Sequence, residues 1–213
     1  VGRVISEERW GTPFLGVSGL LLVSLILVHW ILPDSARVGG ERPNLAEGLK
    51  TVIRHRSSMA AISASFLILI GSRGLMIVYG AWFEEVFLLS ERVLGDVSSS
   101  IGVAGIAGLF LVGLISDRLG KKRAYVLGLV FSALAALGLP FLKQSLFFTV
   151  GAFFLYYMAF EFAMVTAISL LSELRPEARA TLMAFNAAAV SAGDALGSFV
   201  GPWIYQGSIV PNA

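Results

Sequence analysis

The sequence predicts an all-α membrane protein with six transmembrane helices. Three observations carry that prediction. Apolar residues make up 56% of the chain and charged residues 14%, a balance that belongs to a membrane protein and not to a soluble core. Six apolar runs, near 14–32, 59–83, 98–116, 124–142, 146–171 and 182–205, are each long enough to cross a bilayer, which takes about 20 residues. Such runs must be helical, because an open sheet would leave backbone N–H and C=O groups unpaired in lipid.

The same composition excludes several classes. With no cysteine, there is neither a disulfide scaffold nor a thiolate metal site. The net charge of +2 is not a nucleic-acid signal, because the bases fall in short loops between spans, so no nucleic-acid partner is expected. Val1 is followed by no charged n-region with a cleavage site, so no signal peptide is expected and the chain reads as a piece of something longer.

The first span, 14–32, carries no ionisable group inside, with His29 near one end, and can face lipid on all sides. The connection after it passes Pro33, Asp34, Gly39, Gly40 and Pro43 before a segment in which Asn44 can cap a short helix. Leu45, Leu49, Val52 and Ile53 fall on one stripe of that helix, and Lys50 and Arg54 make it basic, as for a helix lying on the inner membrane surface. The second span holds Arg73 near mid-depth, with Tyr79 and Trp82 beyond it. In the third, Gly102, Gly105 and Gly108 form a small-residue ridge suited to close helix contact.

Between the third and fourth spans runs Gly113-Leu114-Ile115-Ser116-Asp117-Arg118-Leu119-Gly120-Lys121-Lys122-Arg123. Asp117 leaves the end of an apolar helix, where a carboxylate is tolerable if a helix N-terminus or an Arg receives it. Gly113 lets a neighbouring backbone come close and Gly120 permits a tight reversal. The fourth span has no ionisable residue inside and again can face lipid. The fifth holds Glu161 one turn beyond Tyr157, with Tyr156 and Phe160 nearby, and the sixth holds Asn186, Asp194 and the ridge Gly193, Gly197 and Gly201.

Lys and Arg set the orientation. Arg37, Arg42, Lys50, Arg54 and Arg56 follow the first span, Arg118, Lys121, Lys122 and Arg123 the third, and Arg175 and Arg179 the fifth. The other connections hold little beyond Arg92 and Lys143, so the positive-inside rule makes the first set cytoplasmic. Trp10, Trp82 and Trp203 then fall at outer ends of spans, as an aromatic belt would have them.

The string from Gly113 to Arg123 resembles the loop signature of the major facilitator superfamily, G-x-L-(A)-D-R-x-G-R/K-K/R-R, with only Ser116 departing where Ala is usual. Glu173, Pro176, Arg179 and Thr181 are similar to that family's E-x-x-P-x-x-R-(G/A)-T phrase, and Pro176 would stop one helix and help start the next. Arg9, Trp10, Pro13 and Phe14 resemble the phrase that opens its sixth helix, although Gly11 stands where Arg is expected. The signature follows the second helix of a half in that family and the third span here. The resemblance therefore implies helices six to eleven of twelve: 1–32 the last helix of the N-terminal half, 33–58 the cytoplasmic loop between halves, and 59–213 the C-terminal half lacking its final helix.

Further expectations follow from that resemblance. Asp117, Glu173 and Arg179 would form an inner-face charge latch that closes in one conformation and releases in the other. The seventh and tenth helices would line a central cavity. The protein would be a secondary transporter in the cytoplasmic membrane, moving a small-molecule solute by alternating access, coupled to protons and working with the missing N-terminal helices. No cofactor is expected.

The residues themselves bear on the coupling. Arg73 can pair with Glu161 or with Asp194 but cannot fully satisfy both, so one carboxyl is left over in a low-dielectric setting and becomes a candidate proton carrier. Glu161 is the favoured carrier and Asp194 the second; a static buried ion pair is the bland alternative. Tyr79, Trp82, Tyr156, Tyr157, Phe160 and Asn186 are candidate contacts to a solute, each also explicable as packing. An enzyme finds little support: there is no Ser-His-acid set, no His cluster with metal spacing and no phosphate-cradling loop. The competing class is a non-transporting membrane scaffold or subunit that keeps the fold, which would have no need of charges at mid-membrane.

Overall fold

The computed structural model describes residues 45–209, together with 18–19, 21–26 and 30. The described positions of the first span are helical; most of that span, the phrase from Arg9 to Phe14, Asn44 and His29 lie outside the described residues. Among the described residues there is no strand.

A short helix, α1 (Leu45–Arg54), leads into α2 (Arg56–Phe87). The chain turns between them at His55, whose extended backbone and ring Nδ1 cap α2: the Ser58 N–H donates to Nδ1 at 3.3 Å, and the Ser58 hydroxyl is 2.9 Å away. Helix α2 ends where Leu88 adopts a left-handed conformation (φ 52°) and sends its N–H to the Glu84 carbonyl. Next come α3 (Glu91–Leu119) and α4 (Lys121–Leu142), separated only by Gly120 at φ 80°. A π-turn at Val112–Ser116 interrupts α3, and α4 closes in a 3-10 turn at Leu139–Leu142. Helices α5 (Leu146–Leu174) and α6 (Arg179–Ile209) complete the order, joined by a 3-10 turn at Pro176–Ala178.

Helices α2, α3, α4 and α5 have both the length and the apolarity to cross a membrane. Helix α6 has the length at 31 residues and lower apolarity, since it carries Asp194, several glycines and Pro202. The helices overrun most of the apolar runs by a turn or so at one or both ends. Helix α2, with 32 residues, is about 48 Å long against a hydrocarbon layer of about 30 Å, so its polar ends continue as helix beyond the lipid.

Glycines decide which helices touch. A Cβ on Gly193 or Gly197 would lie 2.5 Å from the carbonyl oxygens of Phe66 or Ile70, and Gly201 meets Gly74 backbone to backbone, so α6 lies directly on α2. Gly108 does the same for α3 on α5, against the Met158 carbonyl, and Gly128 for α4 on α5, against Ala163. A Cβ on Gly102 would meet nothing within 4 Å, so no close helix approach depends on this glycine.

Two buried clusters close the ends of the bundle. At the end bearing the Asp117 loop, Val52 packs with Ala61, Ile62, Leu171, Ala178 and Leu182. Helix α1 is therefore docked on α2 and α6 through Val52 and Gly48, while Leu49 and Ile53 on its expected apolar stripe stay exposed. At the far end Phe83, Phe153 and Tyr156 pack with Tyr79, Trp82 and Phe87, the Phe83 and Phe153 rings edge to face at 5.8 Å. Helix α4 does not face lipid all round: Ala124, Tyr125, Gly128 and Ser132 are buried, whereas Phe131, Leu134 and Leu137 point outward.

Candidate functional site: a charged cluster at mid-helix and a charged loop

The interiors of the described crossing helices carry three charges, and each lies near the midpoint of its helix: Arg73 in α2, Glu161 in α5 and Asp194 in α6. The glycine contacts that seat α6 on α2 bring two of them together. Arg73 donates from Nε to Asp194 Oδ1 at 2.5 Å and from a terminal nitrogen to Oδ2 at 2.7 Å, the two-pronged geometry that best suits a guanidinium and a carboxylate. The two side chains keep 44% and 35% of their surface exposed, so the pair lines an open face of the bundle instead of its core.

Glu161 stays outside that pair and makes no ion pair among the described residues. Its stem lies against α3 where Gly105 and Gly108 leave room; a Cβ on Gly108 would come within 3.0 Å of the Glu161 Cβ. Tyr157, one turn earlier, lies beside the Glu161 stem against α3 at Gly105.

The other solute candidates divide. Tyr79 donates to or accepts from Ser98 at 2.8 Å and packs its ring on Phe153, tying α2 to α3 and α5. Trp82, Tyr156 and Phe160 belong to the same aromatic stack, with Tyr156 and Phe160 nearly parallel at 6.4 Å. Asn186 is buried and its side-chain oxygen has no hydrogen-bond partner among the described residues. A separate, largely apolar cavity of about 740 Å³ opens between α2, α4 and α6 towards the far end, with Tyr79, Trp82, Lys143 and Tyr205 on its wall. Tyr205 also bonds to Glu85 and pins the far end of α6 to α2.

In the loop, Gly120 adopts the positive φ that only glycine takes without strain, and α4 begins at Lys121. Asp117, Arg118, Lys122 and Arg123 are exposed, and Asp117, Lys122 and Arg123 border a shallow cleft of about 750 Å³ with Lys121, Leu170 and Glu173. Lys121 pairs with Glu173 and so ties the start of α4 to the end of α5. Asp117 and Arg179 are both exposed, and no ion pair joins them among the described residues. At Gly113, in the π-turn, a Cβ would meet nothing within 4 Å, so no neighbouring backbone approaches it closely. Lys121 as the partner of Glu173 and Ser98 as the partner of Tyr79 are contacts that spacing along the chain did not point to. The signal for the first was only that a base opens α4 where an acid closes α5.

A bundle of long apolar helices with a bidentate ion pair and a further carboxylate at mid-depth defines a multi-pass helical membrane protein with a polar inner face. Residues 61–210 match the Major Facilitator Superfamily, and the chain belongs to that family, with a partial all-α fold. Over 207 residues it is 21% identical to the protein named uncharacterized MFS-type transporter YceJ of Bacillus subtilis (strain 168), covering 97% of this chain and 53% of that relative. It is 27% identical over 143 residues to uncharacterized MFS-type transporter YwfA of the same organism, covering 66% of this chain and 34% of that one. The chain thus spans about half the length, or less, of the curated relatives it matches. No solved structure matches it.

Proposed function

We propose that the chain is part of a secondary transporter that moves a small solute by alternating access, with Glu161 carrying the coupled proton. The observation that carries the reading is the division of the three mid-helix charges. Arg73 is engaged by both oxygens of Asp194, which leaves Glu161 as the carboxyl free to take up and release a proton. On this reading 1–32 closes the N-terminal half, 33–58 lies on the cytoplasmic side of the inner membrane, and 59–213 is the C-terminal half without its last helix. A second half, outside this chain, supplies the opposite wall of the pathway.

Asp117, Glu173 and Arg179 work in this scheme as a latch. Glu173 is held by Lys121 in the present arrangement, and Asp117 is exposed for capture by a moving neighbour. Additive effects of Asp117→Asn and Arg179→Gln on transport would remove the latch.

The test of the central claim is proton flux in proteoliposomes holding the complete transporter, followed by an internal pH dye as solute is added. Glu161→Gln is expected to abolish solute-driven proton movement. Unchanged pH dependence in that variant sinks the proton role.

A further inference from the structure

We infer that α1 holds an anionic phospholipid of the leaflet at the Asp117 end of the bundle, its acyl chain against Leu49 and Ile53 and its phosphate between Lys50 and Arg54. The site stands apart from the transport reading above. Three sides of the helix follow one another in order. Gly48 and Val52 face the bundle, where Val52 is fully buried and Gly48 lies against Thr181. Leu49 and Ile53 stand about 60–100° round the helix from Val52, and Lys50 and Arg54 about 160–200° round. Leu49 and Ile53 keep 38% and 51% of their surface exposed, and both bases are exposed as neighbours one turn apart. A docked helix with an apolar flank and then a basic one matches the order in which a bilayer presents hydrocarbon and then phosphate.

Height in the membrane agrees. The chain turns at His55, and the apolar run of α2 opens at Met59, so α1 joins α2 about one turn short of the hydrocarbon edge, at the level of the headgroups. Charge then selects the headgroup. Glu47 is the only acid in α1, against Lys50, Arg54 and the adjoining Arg56. Each base close to an anionic bilayer surface strengthens attachment about fivefold, and a zwitterionic headgroup offers no such net attraction. The lipid bears on more than α1, because Val52 packs with Leu171 of α5 and Leu182 of α6. Whatever pins α1 also steadies the place where α5 ends and α6 begins.

Amide hydrogen exchange over 45–54, measured on the complete transporter in nanodiscs, tests the site. Discs of phosphatidylcholine are compared with discs of phosphatidylcholine and phosphatidylglycerol in equal parts. Phosphatidylglycerol is expected to slow exchange in α1 by about tenfold or more and to leave α2 unchanged. Lys50→Gln and Arg54→Gln, at exposed positions, should each take away about fivefold of that protection without altering exchange in phosphatidylcholine. Ile53→Ser should speed exchange in both kinds of disc. Equal exchange in the two discs overturns the inference, as does slowing that survives removal of both bases. If inorganic phosphate slows α1 equally in phosphatidylcholine discs, the ligand is a free anion and the lipid site falls.

Discussion

Arg73 and Asp194 meet across a contact made almost entirely of backbone. Gly197, one turn beyond Asp194, comes so near α2 that a Cβ there would sit 2.9 Å from the Arg73 Cβ, and this closeness lets a guanidinium reach both oxygens of the acid. The ion pair and the glycine ridge are therefore one structural unit.

That coupling can be measured. A double-mutant cycle of Arg73→Gln and Asp194→Asn, read by denaturation in detergent, should give an interaction energy of about 1 kcal/mol, the modest value appropriate to side chains that remain partly exposed. Either single variant should be less stable than the double. A cycle that closes to zero would mean the contact does not hold the helices.

The ridge itself has a sharper expected response. Gly197→Ala drives a methyl group against the Ile70 carbonyl and should destabilise the bundle by about 1–3 kcal/mol, as overpacking does. Gly151→Ala, on an exposed face of α5 with nothing within 4 Å, should be neutral or stabilising by up to about 1 kcal/mol. Thermal unfolding followed by far-ultraviolet circular dichroism compares the two directly.

At the charged loop, Lys121 and Glu173 should contribute less. Glu173 is 61% exposed, so Glu173→Gln is expected to lower stability by about 0.2–1 kcal/mol at low ionic strength and by almost nothing in 1 M salt, where charges are screened beyond about 3 Å. A loss that persists in high salt would point to packing of the Glu173 stem instead.

The docked helix α1 offers a fourth measurement. A Cβ at Gly48 would lie 2.6 Å from the Thr181 hydroxyl, so Gly48→Val should push α1 off the bundle and uncover Val52. Amide hydrogen exchange over 45–54 should then rise at least tenfold while α2 stays protected.

What could be read from the chain and what could not separates along physical lines. Crossing helices are legible because lipid demands about 20 apolar residues in a row, and Gly120 is legible because a reversal between two helices needs a positive φ. The partner of Arg73 was not: Glu161 and Asp194 are both at mid-depth, and the choice depends on α6 lying on α2, a contact between residues 121 apart in the chain. The Gly193, Gly197 and Gly201 ridge carried the hint, because Asp194 sits within it. Sequence marks Gly102 and Gly113 as close-contact positions, yet a Cβ on either would meet nothing within 4 Å, since spacing along a helix does not say which side another helix occupies. Leu49 and Ile53 share a stripe with Val52, yet only Val52 is buried, because Gly48 and not a leucine faces α6.

The π-turn at Val112–Ser116 bears on Asp117. Buried positions along α3 run through Ile101, Ala104, Gly105 and Gly108, and the next to be covered after the wide turn is Ser116, one place later than an unbroken helix would put it. One surplus residue re-phases the end of the helix by about 100°. Deleting that surplus residue would let α3 run on as a regular helix with Ser116 still covered and Asp117 still exposed. Carbodiimide, which labels accessible carboxylates, should then react at Asp117 as it does in the intact chain. The irregular turn thus absorbs one residue without rotating the charged loop that follows it.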